Sequence, residues 1–161
     1  MPLFLAIIAA VVVCDQLSKL WIVKSFVLYE SVEIIPGFFN LTYLTNKGAA
    51  FGFLAGQTGE WRHYLFLGLG GVALLVIVVA WLRLRRAHKL YAISLPLIAG
   101  GAIGNLIDRV RLGAVVDFLD VYVTTYHWPA FNVADSAISI GVAVFLLANI
   151  LEEKRDNKVN I

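Results

Sequence analysis

The stretch FNVADSAISIGVAVFLLANI, Phe131 to Ile150, decides the fold. From Ala137 onward it is apolar enough to lie in lipid, yet it opens with Asn132 and Asp135. A run of roughly 20 mostly apolar residues is long enough to cross a bilayer as a helix. Working outward, three further runs of that kind stand in the chain, so the predicted spans are residues 3–23, 64–82, 90–107 and 133–151. Composition agrees. With 60% hydrophobic and 15% charged residues, and a mean hydropathy of +0.83, the chain is too oily to cover itself with polar surface in water. The fold class is therefore a mainly α membrane protein with four transmembrane helices, read as one domain over residues 1–161, since neither repeats nor a linker interrupt it.

The formal charge of +2 matters through its distribution. Arg83, Arg85, Arg86 and Lys89 crowd one short connection, and Lys154, Arg155 and Lys158 crowd the tail. By the positive-inside rule both are cytoplasmic, which puts both termini inside and turns the longer connections, residues 24–63 and 108–132, outward. The basic loop is thus a topology signal, not a nucleic-acid surface. One cysteine forms no internal disulfide, and the scattered His63, His88 and His127 suggest no metal site. The opening MPLFLAIIAAVVVCDQ resembles a secretory or lipoprotein leader ending at Cys14, but it has no basic residue at its start and Val13 precedes the cysteine; an uncleaved first helix running on through Asp15, Lys19 and Trp21 is expected.

Placing the polar residues by depth gives a convergence. Asp15 and Lys19 fall in the outer half of the first span; Asn105, Asp108 and Arg109 end the third, in GGAIGNLIDR; Asn132, Asp135 and Ser136 begin the fourth. An ionised side chain at a helix centre costs roughly 2.5 to 3.5 kcal/mol, so such residues face a protein interior or a watery cavity. Three helices hold theirs at one level, which points to a site at the outer interface. Plainer roles also fit each group. Asp15 and Lys19 have the i, i+4 order of an intrahelical ion pair, Asn132 and Asp135 suit a helix cap and a first-turn acid, Asn105 and Arg109 can bond along one helix face, and Gly100 with Gly104 suits close helix packing.

The outward connections read as extended chain. FFNLTYL (38–44) partly alternates apolar and polar, and VVDFLDVYV (115–123) is rich in β-branched and aromatic residues. A small β-rich extracytoplasmic platform is expected, with the glycines and alanines of NKGAAFGFL (46–54) allowing close backbone approach and LAGQTGEW (54–61) able to move as a lid. If the connection folds back, an acid of this platform meets Asp135. Two carboxyls held close share one proton, so that one activates water and the other donates to a carbonyl oxygen, the chemistry of aspartic proteolysis. Spacing does not separate Asp117 from Asp120 as the second acid, although Asp117 lies nearer the third span. Neither HExxH nor GxSxG occurs, and Cys14 lies in an apolar run without a base. A four-span carrier would hold its acids nearer mid-depth, and an assembly protein would use them only to join helices.

The blocks DQLSK (15–19), NKGAAF (46–51), GGAIGNLIDR (100–109), VVDF (115–118) and FNVADS (131–136), in this order over most of the chain, resemble those of the bacterial lipoprotein signal peptidases, or signal peptidase II. The resemblance implies a membrane-embedded aspartic endopeptidase of the bacterial inner membrane, without cofactor or metal, that removes signal peptides from diacylglyceryl-modified prolipoproteins by cutting before the lipidated cysteine. It implies Asp117 and Asp135 as the catalytic dyad, and Asp15, Lys19, Asn46, Gly48, Asn105, Asp108, Arg109, Asn132 and Ala134 as residues that bind substrate or support the site. It further implies sensitivity to the cyclic peptide globomycin. The expected partners are the prolipoprotein and membrane lipid, no nucleic acid, with the chain acting as a monomer.

Overall fold

A computed structural model of the chain describes residues 1–48 and 61–159. The segment expected to act as a lid, apart from Trp61, and the part of NKGAAFGFL after Gly48 lie outside the described residues. Four long helices dominate: α1 (Pro2–Ser25), α2 (Trp61–Leu84), α3 (Lys89–Leu112) and α4 (Val133–Val159). Each is long and apolar enough to span a membrane. All four run further than the hydropathy predicts, α4 by eight residues at its carboxyl end. α3 continues through Asp108 and Arg109 to Leu112, so these two residues belong to the bundle and the platform boundary moves from 108 to 113. There Gly113, at φ 71, returns its N–H to the Arg109 carbonyl and ends the helix in a left-handed turn that glycine enters without steric cost. α2 likewise begins at Trp61, three residues before the expected start.

The spans are unequal in burial. Half of α3's apolar window is covered, against 6% for α2, because α3 packs on each of the other three helices. Small residues permit this. A Cβ at Gly100 would lie 2.8 Å from that of Val11 on α1, and one at Gly101 would collide with the Ala134 carbonyl on α4. The close helix packing expected at Gly100 and Gly104 is therefore present, with α1 as the partner, and Gly101 adds an equally tight contact with α4. At the end away from the sheet, Phe4, Trp81, Tyr91, Leu95 and Ala148 close a core drawn from all four helices.

The platform is a four-stranded antiparallel sheet in the order β1 (Ser31–Ile35), β2 (Phe39–Asn46), β3 (Val115–Val123) and β4 (Tyr126–His127). The last strand lies as a hairpin on β3. β2 and β3 coincide with the stretches read as extended, whereas β1 and β4 carry too short a pattern to be singled out. The sheet stands on the end of α1: Val116 and Phe118 of β3 bury themselves with Ile22, and each such side chain contributes ~2 kcal/mol when fully covered. Between Leu41 and Leu44, β2 carries an extra residue relative to its partners Leu119 and Asp117. Such a bulge bends a strand and redirects its side chains. Here it sets Asn46 opposite Val115 and thus diagonal to Asp117.

Replacing Gly101 with alanine should destabilise the detergent-solubilised protein by about 1–3 kcal/mol, since helix backbone must move to admit the methyl group. Gly71→Ala, with open space around it, should leave the thermal unfolding midpoint unchanged or slightly raised.

Candidate active site

The amino-terminal turn of α4 is the seat of the site, and its residues explain why the helix starts where it does. Asn132 immediately precedes the helix, and its Oδ1 accepts from the Asp135 N–H at 2.9 Å. The Ser136 hydroxyl donates to the Asn132 carbonyl at 2.9 Å. One more N–H of this first turn, that of Ala134, donates to Asp15 Oδ1 on α1 at 2.9 Å. Helix starts need such acceptors, because their first N–H groups have no partner within the helix. The capping role foreseen for Asn132 is thus real. It coexists with a second one, since the same side chain reaches Asp117 through its amide nitrogen at 2.8 Å.

Position relative to the sheet is set just upstream. Phe131 exchanges backbone hydrogen bonds with β3: its carbonyl accepts from Phe118 and Leu119 at 2.9 and 2.8 Å, and its N–H donates to Leu119 at 3.0 Å. Asp135 is therefore tied to the strand that carries Asp117. The two carboxyls line one cavity of about 1160 Å³, together with Asn46, Gly48, Asn105 and Arg109. Its other walls are largely apolar: Tyr29, Trp128, Pro129, Phe131, Ile138 and Ile140.

Beneath the pair lies a buried ionic cluster. The Lys19 ammonium, 3% exposed, bridges Asp15 Oδ2 at 2.9 Å and Asp108 Oδ2 at 2.8 Å. The predicted i, i+4 pair of α1 exists, then, but it is half of a bridge to α3. Asp108 also accepts from the Val116 N–H at 3.1 Å, which fixes the start of β3. Lys19 donates further to Asn105 Oδ1 at 3.1 Å, and the Asn105 amide nitrogen donates to Asp135 Oδ1 at 2.7 Å. A Cβ at Gly104 would sit 2.5 Å from Asp15 Oδ2, so a glycine is what leaves room for that carboxylate. Arg109 donates to the Asn105 backbone carbonyl at 3.3 Å, along one helix face, and its guanidinium lies over Phe66, 5.5 Å from the ring centre.

Asp117 is 4% exposed. Burial, and next the charge of Asp135, push its carboxyl up from the ordinary 3.8 to about 7, against the opposing effects of Asn132, Asn46 and Lys19. The Asp117 carboxyl can therefore exchange a proton near neutrality. Asp120, the alternative left open by spacing, has other partners. It accepts from Asn40 Nδ2 at 2.9 Å and pairs with His127 Nδ1 at 2.8 Å. His127 in turn stacks on Tyr122 and His88 caps α3 by accepting from the Leu90 N–H, so both histidines hold structure together.

Asp117, Asp135 and the residues expected to support them thus gather around this cavity or directly beneath it, whereas Asp120 does not. Gln16 is one that sequence reasoning passed over, although it stands within the quoted DQLSK. Its amide donates to Asp108 Oδ1 at 2.9 Å and to Asp15 Oδ2 and the Gly104 carbonyl at 3.2 Å each. A polar amide inside an apolar helix, beside an acid, was the available signal.

Comparison with known proteins agrees with this architecture. The sequence model described as signal peptidase (SPase) II matches residues 7–151. The lipoprotein signal peptidase of Geobacter metallireducens is 48% identical over 158 residues, covering 98% of this chain and 96% of the relative. That of Geobacter sulfurreducens is 52% identical over 153 residues, covering 95% and 94%. Among solved structures, a bacterial membrane enzyme superposes with a TM-score of 0.86 at 32% identity, covering 96% of this chain and 92% of its own. Four spanning helices, a strand platform and a cavity that holds two acids among apolar walls accord with that kinship, and the chain belongs to the signal peptidase II family of membrane peptidases.

Proposed function

We propose that the protein is an aspartic endopeptidase of the bacterial inner membrane that releases signal peptides from diacylglyceryl-modified prolipoproteins, cutting before the lipidated cysteine. One observation carries the reading: a single cavity is lined by the buried Asp117, the half-buried Asp135 and a largely apolar set of neighbours. The carboxyls suit peptide hydrolysis and the apolar walls suit a lipid-bearing substrate. The basic residues of the α2–α3 connection and of the tail support cytoplasmic termini, which turns the platform to the periplasmic side. The whole chain acts as one domain, because sheet and bundle share the residues of the site.

In this reading the substrate enters laterally from the bilayer, its signal helix among the spans and its modified cysteine at the interface. A water between the acids attacks the scissile carbonyl carbon. The ionised carboxyl takes a proton from that water while the protonated one gives its proton to the carbonyl oxygen, leaving a tetrahedral diol. The diol collapses as a proton passes to the departing nitrogen and the C–N bond breaks. Products are the carboxyl end of the signal peptide and the free amine of the lipidated cysteine. Asn105 and Asn132 orient the carboxyls, Arg109 steadies the substrate backbone, and the Asp15, Lys19 and Asp108 cluster holds the helices that carry them.

The direct test is incubation of the purified protein with lipidated and unlipidated precursor. Asp117→Asn and Asp135→Asn should each stay folded and membrane-inserted while turnover of the lipidated precursor falls by about 10³-fold or more. Near-normal cleavage by either variant would refute the mechanism.

Stability should report the same pair. The Asp117 carboxyl is raised in the folded state, to about 7 from 3.8, so between those values the folded chain holds a proton that the unfolded chain has released. Its contribution to stability is accordingly complete at acid pH and declines as pH rises through about 7. Thermal unfolding of Asp117→Asn should match the wild type near pH 4 and exceed it above about pH 7.

A further inference from the structure

Three asparagine side chains touch the carboxyl pair, and each is held in one orientation by a group that has no choice of role. Asn105 Oδ1 faces the Lys19 ammonium at 3.1 Å, and an ammonium only donates. Asn132 Oδ1 faces the Asp135 backbone N–H at 2.9 Å, while its Nδ2 meets the Val116 carbonyl at 3.2 Å. Asn46 Oδ1 faces the Gly48 backbone N–H at 2.9 Å. Turning any of the three amides over would set donor against donor at one end and acceptor against acceptor at the other. The consequence is common to all three. The NH2 of Asn105 donates to Asp135 and that of Asn132 to Asp117, while Asn46 stands diagonal to Asp117 across the strand pair and helps to hold its carboxyl down. Asn132 Nδ2 also meets Asn105 Oδ1 at 3.3 Å, which joins two of the amides into one network.

We propose that Asn46, Asn105 and Asn132 are positioning residues whose amide polarity, locked by Lys19 and two backbone N–H groups, offers the carboxyl pair hydrogen-bond donors only. The catalytic proton then finds no acceptor in these side chains, and it stays on the two carboxyls and the water between them. Lys19 thereby serves the reaction without touching it. Its ammonium holds the Asn105 carbonyl, and so decides which end of that amide Asp135 meets. The inference rests on the two-aspartate mechanism proposed above and adds to it what confines the proton.

The test exchanges donor for acceptor without changing size. In Asn105→Asp the introduced carboxyl still accepts from Lys19. Ionised, it places an acceptor against Asp135; protonated, it restores a donor. The charged and titratable groups around it are Lys19 and Asp15 from α1, Lys47 at the end of β2, Asp108 and Arg109 on α3, Asp117 on β3 and Asp135 on α4. They are the same in variant and wild type, so the ratio of their activities reports the introduced carboxyl together with the shift its charge imposes on Asp135 and Asp117. With lipidated precursor, kcat of Asn105→Asp should fall on the order of 100-fold at about pH 8, with KM within about twofold, and recover about tenfold or more relative to wild type by about pH 5. A ratio that stays flat across that range overturns the proposal, because a side chain that merely fills space would show no such tilt. Thermal unfolding of the variant is measured alongside. Should Asn105→Asp not fold, Asn46→Asp, at the rim of the cavity, tests the same polarity against Asp117 with the same expected tilt. If Asp117→Asn and Asp135→Asn abolish cleavage while the ratio is flat, only the amide inference fails; if those variants cleave, the two-aspartate mechanism itself falls.

Discussion

An ammonium group with 3% exposure, held between two carboxylates on different helices, has little freedom to move. Removing one partner of such a cluster leaves an uncompensated buried charge, which costs about 3–5 kcal/mol. Lys19 therefore acts as the fixed point of the structure. Through Asp15 it is coupled to the first turn of α4, through Asp108 to the start of β3, and through Asn105 to Asp135. Three helices and a strand are referenced to one nitrogen atom. The polar side chains that look costly in a membrane span are in this way mutually satisfied, and the satisfied set is what brings the two site aspartates to one cavity.

Much of this was legible because lipid imposes coarse rules. Some twenty apolar residues in a row can scarcely be anything but a span, and the four helices fall where hydropathy places them. The errors lie at the ends. α3 runs on to Leu112 because a polar turn at the interface can remain helical when its side chains are paired, as Asp108 is with Lys19. Strand β3 stood out through its β-branched and aromatic run, whereas the two-residue β4 exists only because β3 offers it an edge.

Within the site, the sequence places candidates at a common depth but leaves their partners open. Asp117 and Asp120 are both acids of one strand, and what distinguishes them is three-dimensional: Asp117 looks into the cavity shared with Asp135, while Asp120 meets Asn40 and His127. The bulge in β2 that carries Asn46 toward Asp117 has no sequence cue of its own. Equally, reading Asn132 as either cap or site residue posed a false choice, because an amide has two ends and this one uses both.

The backbone bonds between Phe131 and β3 divide the cavity into two parts with different supports. The acids are held in one cavity by those few bonds, by the cap and by the Lys19 network behind them, while the hairpin that runs from Val123 to Ala130 supplies a wall through Trp128, Pro129 and Ala130. Among the described residues, none of the hydrogen bonds that tie Asp117 and Asp135 to their neighbours comes from a side chain of that hairpin. Wall and acids are thus separable parts of one cavity, the first carried by a hairpin and the second by a strand and a helix cap.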